Sequence, residues 1–330
     1  MLIFKIIITL IIIVALLFVK SLFKLSITKK QVERELADIH VTKILNPGTI
    51  ETLSILPLVD YYAENETFTT EAGVSYYINA DDKSILLDVG ANGRKEHPSA
   101  LLKNLKILGK KFDSLDFIYL SHLHLDHVGG MKDQKNATFS VSAGNVDLPE
   151  IPVYSPEPVR PSELNPGPIP EIITKPYKIS EGIISIGAIP KALYLMGYTL
   201  ENTIAFNLSG KGIVVVIGCG HQSIDKILER AHELFDEPVY GIIGGLHLPS
   251  GNGRIKIGPV DIQSIVGADR PPWHGVNKQD TEEAILAIKK ANPSFIALSA
   301  HDSSDWTINR FKKAFGSKYH DLKVGRELVL

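Results

Sequence analysis

The chain of 330 residues has a single cysteine, Cys219. One cysteine excludes intrachain disulfides, so the sequence fits a reducing or an oxidising compartment equally. Excess charge is absent too: 35 Lys and Arg against 37 Asp and Glu leave a formal net charge of -2. That balance gives no electrostatic reason to expect nucleic acid as a partner. No internal repeat is visible. No small-x-small pattern follows the first apolar run, and Ser21-Leu22-Phe23 is wrong for a cleavage site, which argues against a removed signal peptide. No cysteine stands near that run for lipid attachment.

What is present begins with the run itself. Residues 2–19 are apolar but for Lys5 and Thr9. A helix of that length, rising ~1.5 Å per residue, reaches roughly 27 Å and can cross a bilayer core. We read residues 1–22 as a transmembrane anchor, 23–50 as a juxtamembrane linker and 51–330 as one catalytic domain. Residues 29–40 form a polar helix or linker, and Asn46-Pro47-Gly48 a turn. Lys20, Lys24, Lys29 and Lys30 outweigh Lys5 and the free amine, which places the catalytic domain in the cytoplasm by the positive-inside tendency. A hydrophobic content of 44% lets the rest bury a substantial core.

The chemistry concentrates in Ser121-His122-Leu123-His124-Leu125-Asp126-His127-Val128-Gly129-Gly130. The apolar stretch Phe117–Leu120 before it is of strand type, and two glycines end it, so the ligands sit where a buried strand opens into a loop. His122, His124 and His127 offer imidazole nitrogens and Asp126 an oxygen, a mixture suited to zinc and workable for iron or manganese. Four ligands in six residues cannot all serve one tetrahedral ion. Two adjacent metals, or one metal with an empty neighbouring position, is the natural reading. A polar surface loop would suit a lone histidine, but not this pattern directly after a buried strand.

The run resembles the signature of the metallo-β-lactamase-fold hydrolase superfamily, and the resemblance extends from about Leu53 to the C-terminus. It implies an α/β fold, an αββα four-layer sandwich, here preceded by an N-terminal transmembrane helix. It further implies that His122 and His124 bind a first metal, and Asp126 and His127 a second. Ser84–Gly90 is similar to the strand whose aspartate, here Asp88, lies beneath the metals; by itself Asp88 reads as an ordinary turn acid.

Three later strands end in histidines. Ile213–Ile217 is buried by composition and runs into Gly218-Cys219-Gly220-His221 ahead of an amphipathic helix through Ile224, Ile227, Leu228, Ala231 and Leu234. The superfamily usually has Gly-Asp there with the Asp bridging both metals, so Cys219 occupies the bridging position. A thiolate ligates zinc, yet a small buried cysteine is an equal reading, and His221 is preferred as the ligand. Val239–His247 and Phe295–His301 end in the same way, and the resemblance carries a metal ligand over to His301. Gly-Cys-x-His and Gly-Gly-x-His most resemble the branch of archaeal dihydropterin-ribofuranosyl-aminobenzene phosphate synthases. Glu201-Asn202 falls where other members have a further histidine; a polar turn is its competing reading.

Two proline-bearing or glycine-bearing excursions remain. Residues 149–176 read as a pocket-covering loop in which Arg160 meets a substrate phosphate or carboxylate, against the more frequent outcome of a solvated arginine. Residues 249–274 bring Arg254, Arg270, Trp273 and His274 near the His247 strand end, and Tyr61-Tyr62 line the pocket or pack at a strand edge. Asp280 with Glu283 is a capping box for the next helix, and Ser303 or Ser304 starts the last.

The implied function is metal-assisted hydrolysis of a small ester, lactone or phosphoester. One or two zinc ions, with Mn or Fe workable, lower the pKa of bound water to about 7 and polarise the electrophile. Asp126 orients the nucleophile, and His247 or His274 donates to the leaving group or oxyanion. Two other readings stand beside it. One is a ligand-binding or regulatory protein that retains the fold, which Cys219 makes conceivable; the other is a di-iron redox enzyme, ranked low because His124 stands where that class has glutamate and no flavin domain is appended. The expected partners are a small-molecule substrate and, through the first helix, the membrane. Substrate identity and oligomeric state are left open.

Overall fold

The computed structural model describes residues 2–330. Its organisation follows from strands that are apolar on both faces. Gly212–Ile217 is β-branched throughout its centre and buried at every position, as a strand covered on both sides must be. Alternate residues enter different cores: Val214 and Val216 face the neighbouring sheet, while Ile213, Val215 and Ile217 meet helices. Each fully buried side chain of this kind contributes roughly 1.5–3 kcal/mol.

This strand lies inside a six-stranded sheet ordered Phe295–Leu298, Val239–Gly244, Gly212–Ile217, Ile204–Leu208, Ile183–Ser185, Tyr177–Ser180. A seven-stranded sheet packs against it, ordered Leu328–Val329, Leu53–Val59, Ser75–Ala80, Lys83–Leu87, Phe117–Tyr119, Pro152–Ser155, Ile169–Ile172. Tyr76, Ile78, Ile85, Leu87 and Tyr119 from one sheet and Phe206, Val214, Val216 and Ile243 from the other form the core between them. Helix Ala100–Ile107 covers the outer face of the first sheet through Leu101 and Leu105. Helices Ile224–Leu234, Lys278–Ala291 and Asp305–Phe315 cover the outer face of the second. The layers are helix, sheet, sheet, helix.

Register decides where the functional loops emerge. Ile217 pairs in parallel with Gly244, and Gly244 with Leu298, so the segments carrying Cys219, His247 and His301 leave the second sheet at one end. Leu87 pairs in parallel with Tyr119, so Asp88 and the 121–127 loop leave the first sheet together. Open α/β sheets bind ligands at such carboxyl ends.

The first helix runs from Leu2 to Asp38. An 18-residue window near its start has a mean hydropathy of 2.9 and none of it is buried. From Leu22 onward the same helix lies on the hairpin Ile189–Leu193/Gly197–Glu201, burying Leu25 and Val32 against Ala192 and Tyr194. Ser21 Oγ lies 3.0 Å from Tyr194 Oη.

Several local expectations shift. The helix from Lys278 is capped by Asn277, with Asp280 returning the bond from the third position rather than serving as the cap, because Asn277 already has the extended backbone a cap needs. Ser304 caps the last helix. Residues 149–176 are not a pocket cover: Pro152–Ser155 and Ile169–Ile172 extend the first sheet at its edge.

Candidate metal centre

The 121–127 loop is held by one carboxylate. Asp88 accepts the backbone N–H of Ser121 at 2.7 Å, the Ser121 hydroxyl at 2.7 Å and the His127 ring at Nδ1 at 2.6 Å. Asp88 reaches this position with φ of +56°, a left-handed conformation that aspartate tolerates better than most residues. Ser121 Oγ is in turn 2.9 Å from His122 Nδ1. With both Nδ1 atoms engaged, the Nε2 atoms of His122 and His127 turn inward. Gly218 is required opposite: a Cβ there would lie 2.2 Å from Ser121 Oγ.

A second relay serves His301. Asp60, at the end of Leu53–Val59, accepts the Ser299 hydroxyl at 2.6 Å and the Ala300 N–H at 3.1 Å. Ser299 Oγ lies 2.7 Å from His301 Nδ1. Burial pushes the Asp60 carboxyl up to about 6 despite these donors. Sequence reading passed over Asp60: Asp88 was singled out by the family resemblance, and an aspartate at a strand end reads by itself as an ordinary turn acid.

These supports converge three groups of ligand atoms, each group within 4.8 Å: Asp126, His127, Cys219 and His301; His122, Cys219 and His221; and Cys219, His247 and Asp302. Cys219 belongs to all three. Its Sγ is 3.1 Å from His127 Nε2 and 3.1 Å from His301 Nε2, and Cys219 and His221 fall together in one of the candidate groups. Asp302, the neighbour of His301, is a further group that sequence reading left aside. His124 stands beside these groups instead, with Nδ1 3.1 Å from His221 Nε2 and Nε2 3.3 Å from Thr199 Oγ1.

Glu201 is placed as a support. Its carboxylate accepts the backbone N–H groups of Cys219, Gly220 and His221 at 2.9, 2.7 and 2.7 Å, shaping the Gly-Cys-Gly-His loop. Burial raises it to about 7. Asn202 ties its own strand to Ser185 and Ile173.

The donor set fits a divalent cation. Among the described residues, His122 Nε2, His221 Nδ1 and both ring nitrogens of His247 are buried without a hydrogen-bond partner, and each such orphan costs about 1–3 kcal/mol unless something binds it. Burial, reinforced by neighbouring histidines, holds His122 and His221 well below the usual imidazole range. Neutral imidazole is the form that ligates. His127 differs: although burial opposes charge, Asp88 and Asp126 raise it to about 9. Burial also pushes the Cys219 thiol well up, with Asp126 adding to it. Imidazole, carboxylate and thiolate donors together match zinc and the other borderline divalent metals.

The centre floors a cavity of about 480 Å³. His124, Asp126, Cys219, His221, His247 and His301 line its base. Glu71, Asn92, Arg94, Met196, Ile255 and Val266 also line the cavity. The predicted substrate residues are elsewhere. Arg254 spends its guanidinium on the carbonyls of Ala300 and Ser303 and on Asp305, beneath the Tyr61 ring at 4.1 Å. It clamps the His301 loop, and Tyr61 and Tyr62 pack their rings on it instead of lining the cavity. Arg160 is exposed on the two-residue strand Arg160–Pro161. His274 ends a short 3-10 turn, Pro272–His274, away from the cavity lining.

The model of the metallo-beta-lactamase superfamily matches residues 69–232. An uncharacterized protein of Methanocaldococcus jannaschii, MJ0448, is 30% identical over 218 residues, 58% of this chain and 78% of its own length. The 7,8-dihydropterin-6-methyl-4-(beta-D-ribofuranosyl)-aminobenzene-5'-phosphate synthase of the same organism is 27% identical over 251 residues, 64% of this chain and 83% of its own. Among solved structures, Tm1679, a metal-dependent hydrolase of the beta-lactamase superfamily, shares the fold with a TM-score of 0.56 at 19% identity, over 84% of this chain and 98% of that one. By fold, relatives and the matched segment together, the chain belongs to the metallo-beta-lactamase superfamily.

Proposed function

We propose that the protein is a zinc-dependent hydrolase of a small ester, lactone or phosphoester, carried on an N-terminal membrane anchor with its catalytic domain in the cytoplasm. The observation that carries this reading is the convergence of three ligand groups on Cys219 at the floor of one cavity. His122, His221 and Cys219 would hold one ion, and Asp126, His127, His301 and Cys219 a second. A divalent cation supplies Lewis acidity there, bringing the pKa of water toward about 7 and polarising a carbonyl or phosphoryl oxygen.

The chain's own groups do the rest. The Asp88–Ser121 and Asp60–Ser299 relays keep the proton of His122, His127 and His301 on Nδ1, which reserves Nε2 as a lone-pair donor. Asp126 lines the cavity with Oδ2 3.6 Å from His127 Nε2, and its carboxylate takes the proton of the attacking water. His247, a cavity-lining residue whose ring nitrogens have no hydrogen-bond partner among the described residues, donates a hydrogen bond to the leaving oxygen, and the proton taken up by Asp126 passes to that oxygen. Arg94, exposed at the cavity mouth, favours an anionic group on the substrate.

The test is metal analysis of the purified full chain, followed by phosphodiester, lactone and thioester substrates. Bound zinc with turnover of one class supports the reading. Iron in its place favours redox chemistry, and absence of metal favours a ligand-binding protein. A second reading rests on the 27% identity to the dihydropterin-linked synthase: a phosphate-bearing, pterin-like substrate, tested by adding such a compound to the panel.

A further inference from the structure

Two segments that supply apolar residues to the cavity lining also contact the first helix. Tyr194-Leu195-Met196 forms the tip of the hairpin on which that helix lies, and Tyr194 reaches Ser21 of the helix. The 249–274 insertion is joined to the same tip, since the Tyr194 N–H donates to the Ala268 carbonyl at 2.7 Å. Ile265 of the insertion and Leu22 of the helix pack against one cluster of Leu25, Val32, Ala192 and Tyr194, and Trp273 meets Phe18 with ring centroids 6.0 Å apart. Phe18 is near the end of the exposed apolar run, so Trp273 sits at the level where a bilayer core would end. Tryptophan favours that level.

The hairpin tip and the insertion expose large apolar side chains: Leu195 is 59% exposed, Ile257 69%, Val260 44% and Trp273 61%. Exposed apolar surface of this size is unfavourable in water and marks segments that something covers. The occupant is indicated by continuity: the same segments carry Met196, Ile255 and Val266 into the cavity wall, and the same helix carries Lys20, Lys24 and Lys29 just past its apolar run.

We propose that the hairpin tip and the insertion dock into the bilayer surface beside the anchor, and that the substrate is a membrane-resident amphiphile whose hydrocarbon chain lies along Met196, Ile255 and Val266 while its ester reaches the metal centre. This rests on the hydrolase reading. Water then adds a hydroxyl to the acyl or phosphoryl centre, the ester bond breaks, and the remaining proton goes to the leaving oxygen.

Two measurements on the full chain in phosphatidylcholine vesicles test it. In Trp306→Phe, Trp273 is the sole tryptophan; bromines in the acyl chains should quench its emission by at least about half if it lies at the interface. Emission indifferent to brominated lipid but quenched by aqueous iodide overturns the docking surface. The second measurement compares butyryl and palmitoyl esters of one alcohol with a Leu195→Asp/Ile257→Asp/Val260→Asp variant. The palmitoyl ester should be preferred, and the variant should lose at least about tenfold on it alone, because three apolar insertions are replaced by charges. Equal turnover of both esters, or equal loss on both, overturns the substrate class. Turnover of neither ester by a metal-loaded protein refutes the ester chemistry, while the Trp273 quenching still decides the docking surface.

Discussion

The two halves of the candidate metal centre are assembled by different means. Asp126 and the histidines 122 and 127 arrive on one loop, and their support, Asp88, stands only 33 residues from Ser121 at the end of the adjacent strand. Cys219 and His221 arrive on one loop of the second sheet and His301 on another, and the support for His301 spans 239 residues from Asp60 to Ser299. The first half is a local motif placed on a strand end. The second exists only once two sheets have packed. Cys219 joins them, because it is the one ligand in every group.

The largest effects should come from breaking either half at a histidine. His122→Ala and His301→Ala should each cut turnover by at least about 10³-fold, beyond the 10–100-fold typical of supporting residues. Elemental analysis beside the activity assay should find reduced metal content in both. Full metal content with unchanged activity in either variant removes that histidine from the centre. Cys219→Ala should resemble them or exceed them, because one substitution touches all three groups. Cys219→Asp should keep metal, since a carboxylate can serve both sides of the centre. Equal metal loading in the Ala and Asp variants means that the thiol is packing, not ligating.

Next in size is a direct contest between the supports. Asp88 holds both Ser121 and the His127 ring, whereas Asp60 reaches one histidine through Ser299. Asp88→Asn should weaken metal affinity toward the upper end of a roughly 10–100-fold range and Asp60→Asn toward the lower end. Competition with a chelator measures both. A larger loss in Asp60→Asn would reverse the ranking and make the inter-sheet relay the dominant one.

What the sequence disclosed follows the same division. The 121–127 run was legible because its ligands are adjacent and its strand and glycines are local signals. The histidines at 221, 247 and 301 were legible as a set because each follows an apolar strand. Asp60 was not, since its role appears only when Leu53–Val59 and Phe295–Leu298 bring it to Ser299. Glu201 was noticed for its position, but its work, three backbone N–H bonds to the Cys219 loop, depends on a neighbouring strand end. Arg254 was read as a free cation. Only the fold reveals carbonyls at Ala300 and Ser303 waiting for it.

That difference between arginines yields the smallest expected effects. Arg254→Ala takes the guanidinium donor from the Ala300 and Ser303 carbonyls, leaves Asp305 with the Tyr62 hydroxyl alone, and removes the cation over Tyr61. Unfolding should become easier by about 1–3 kcal/mol, the cost of stranding partly buried polar groups, with a lower Tm and a secondary loss of activity through the His301 loop. Arg160→Ala should do almost nothing. Its side chain is exposed, and the pairing of its strand with Thr138–Phe139 runs through backbone atoms. Surface changes of this kind stay within about 0.5 kcal/mol, so Tm and kcat/KM should both match the parent. A rise in KM for an anionic substrate in Arg160→Ala would mean that the 149–176 segment reaches the cavity after all, and would move substrate recognition from Arg94 to the sheet edge.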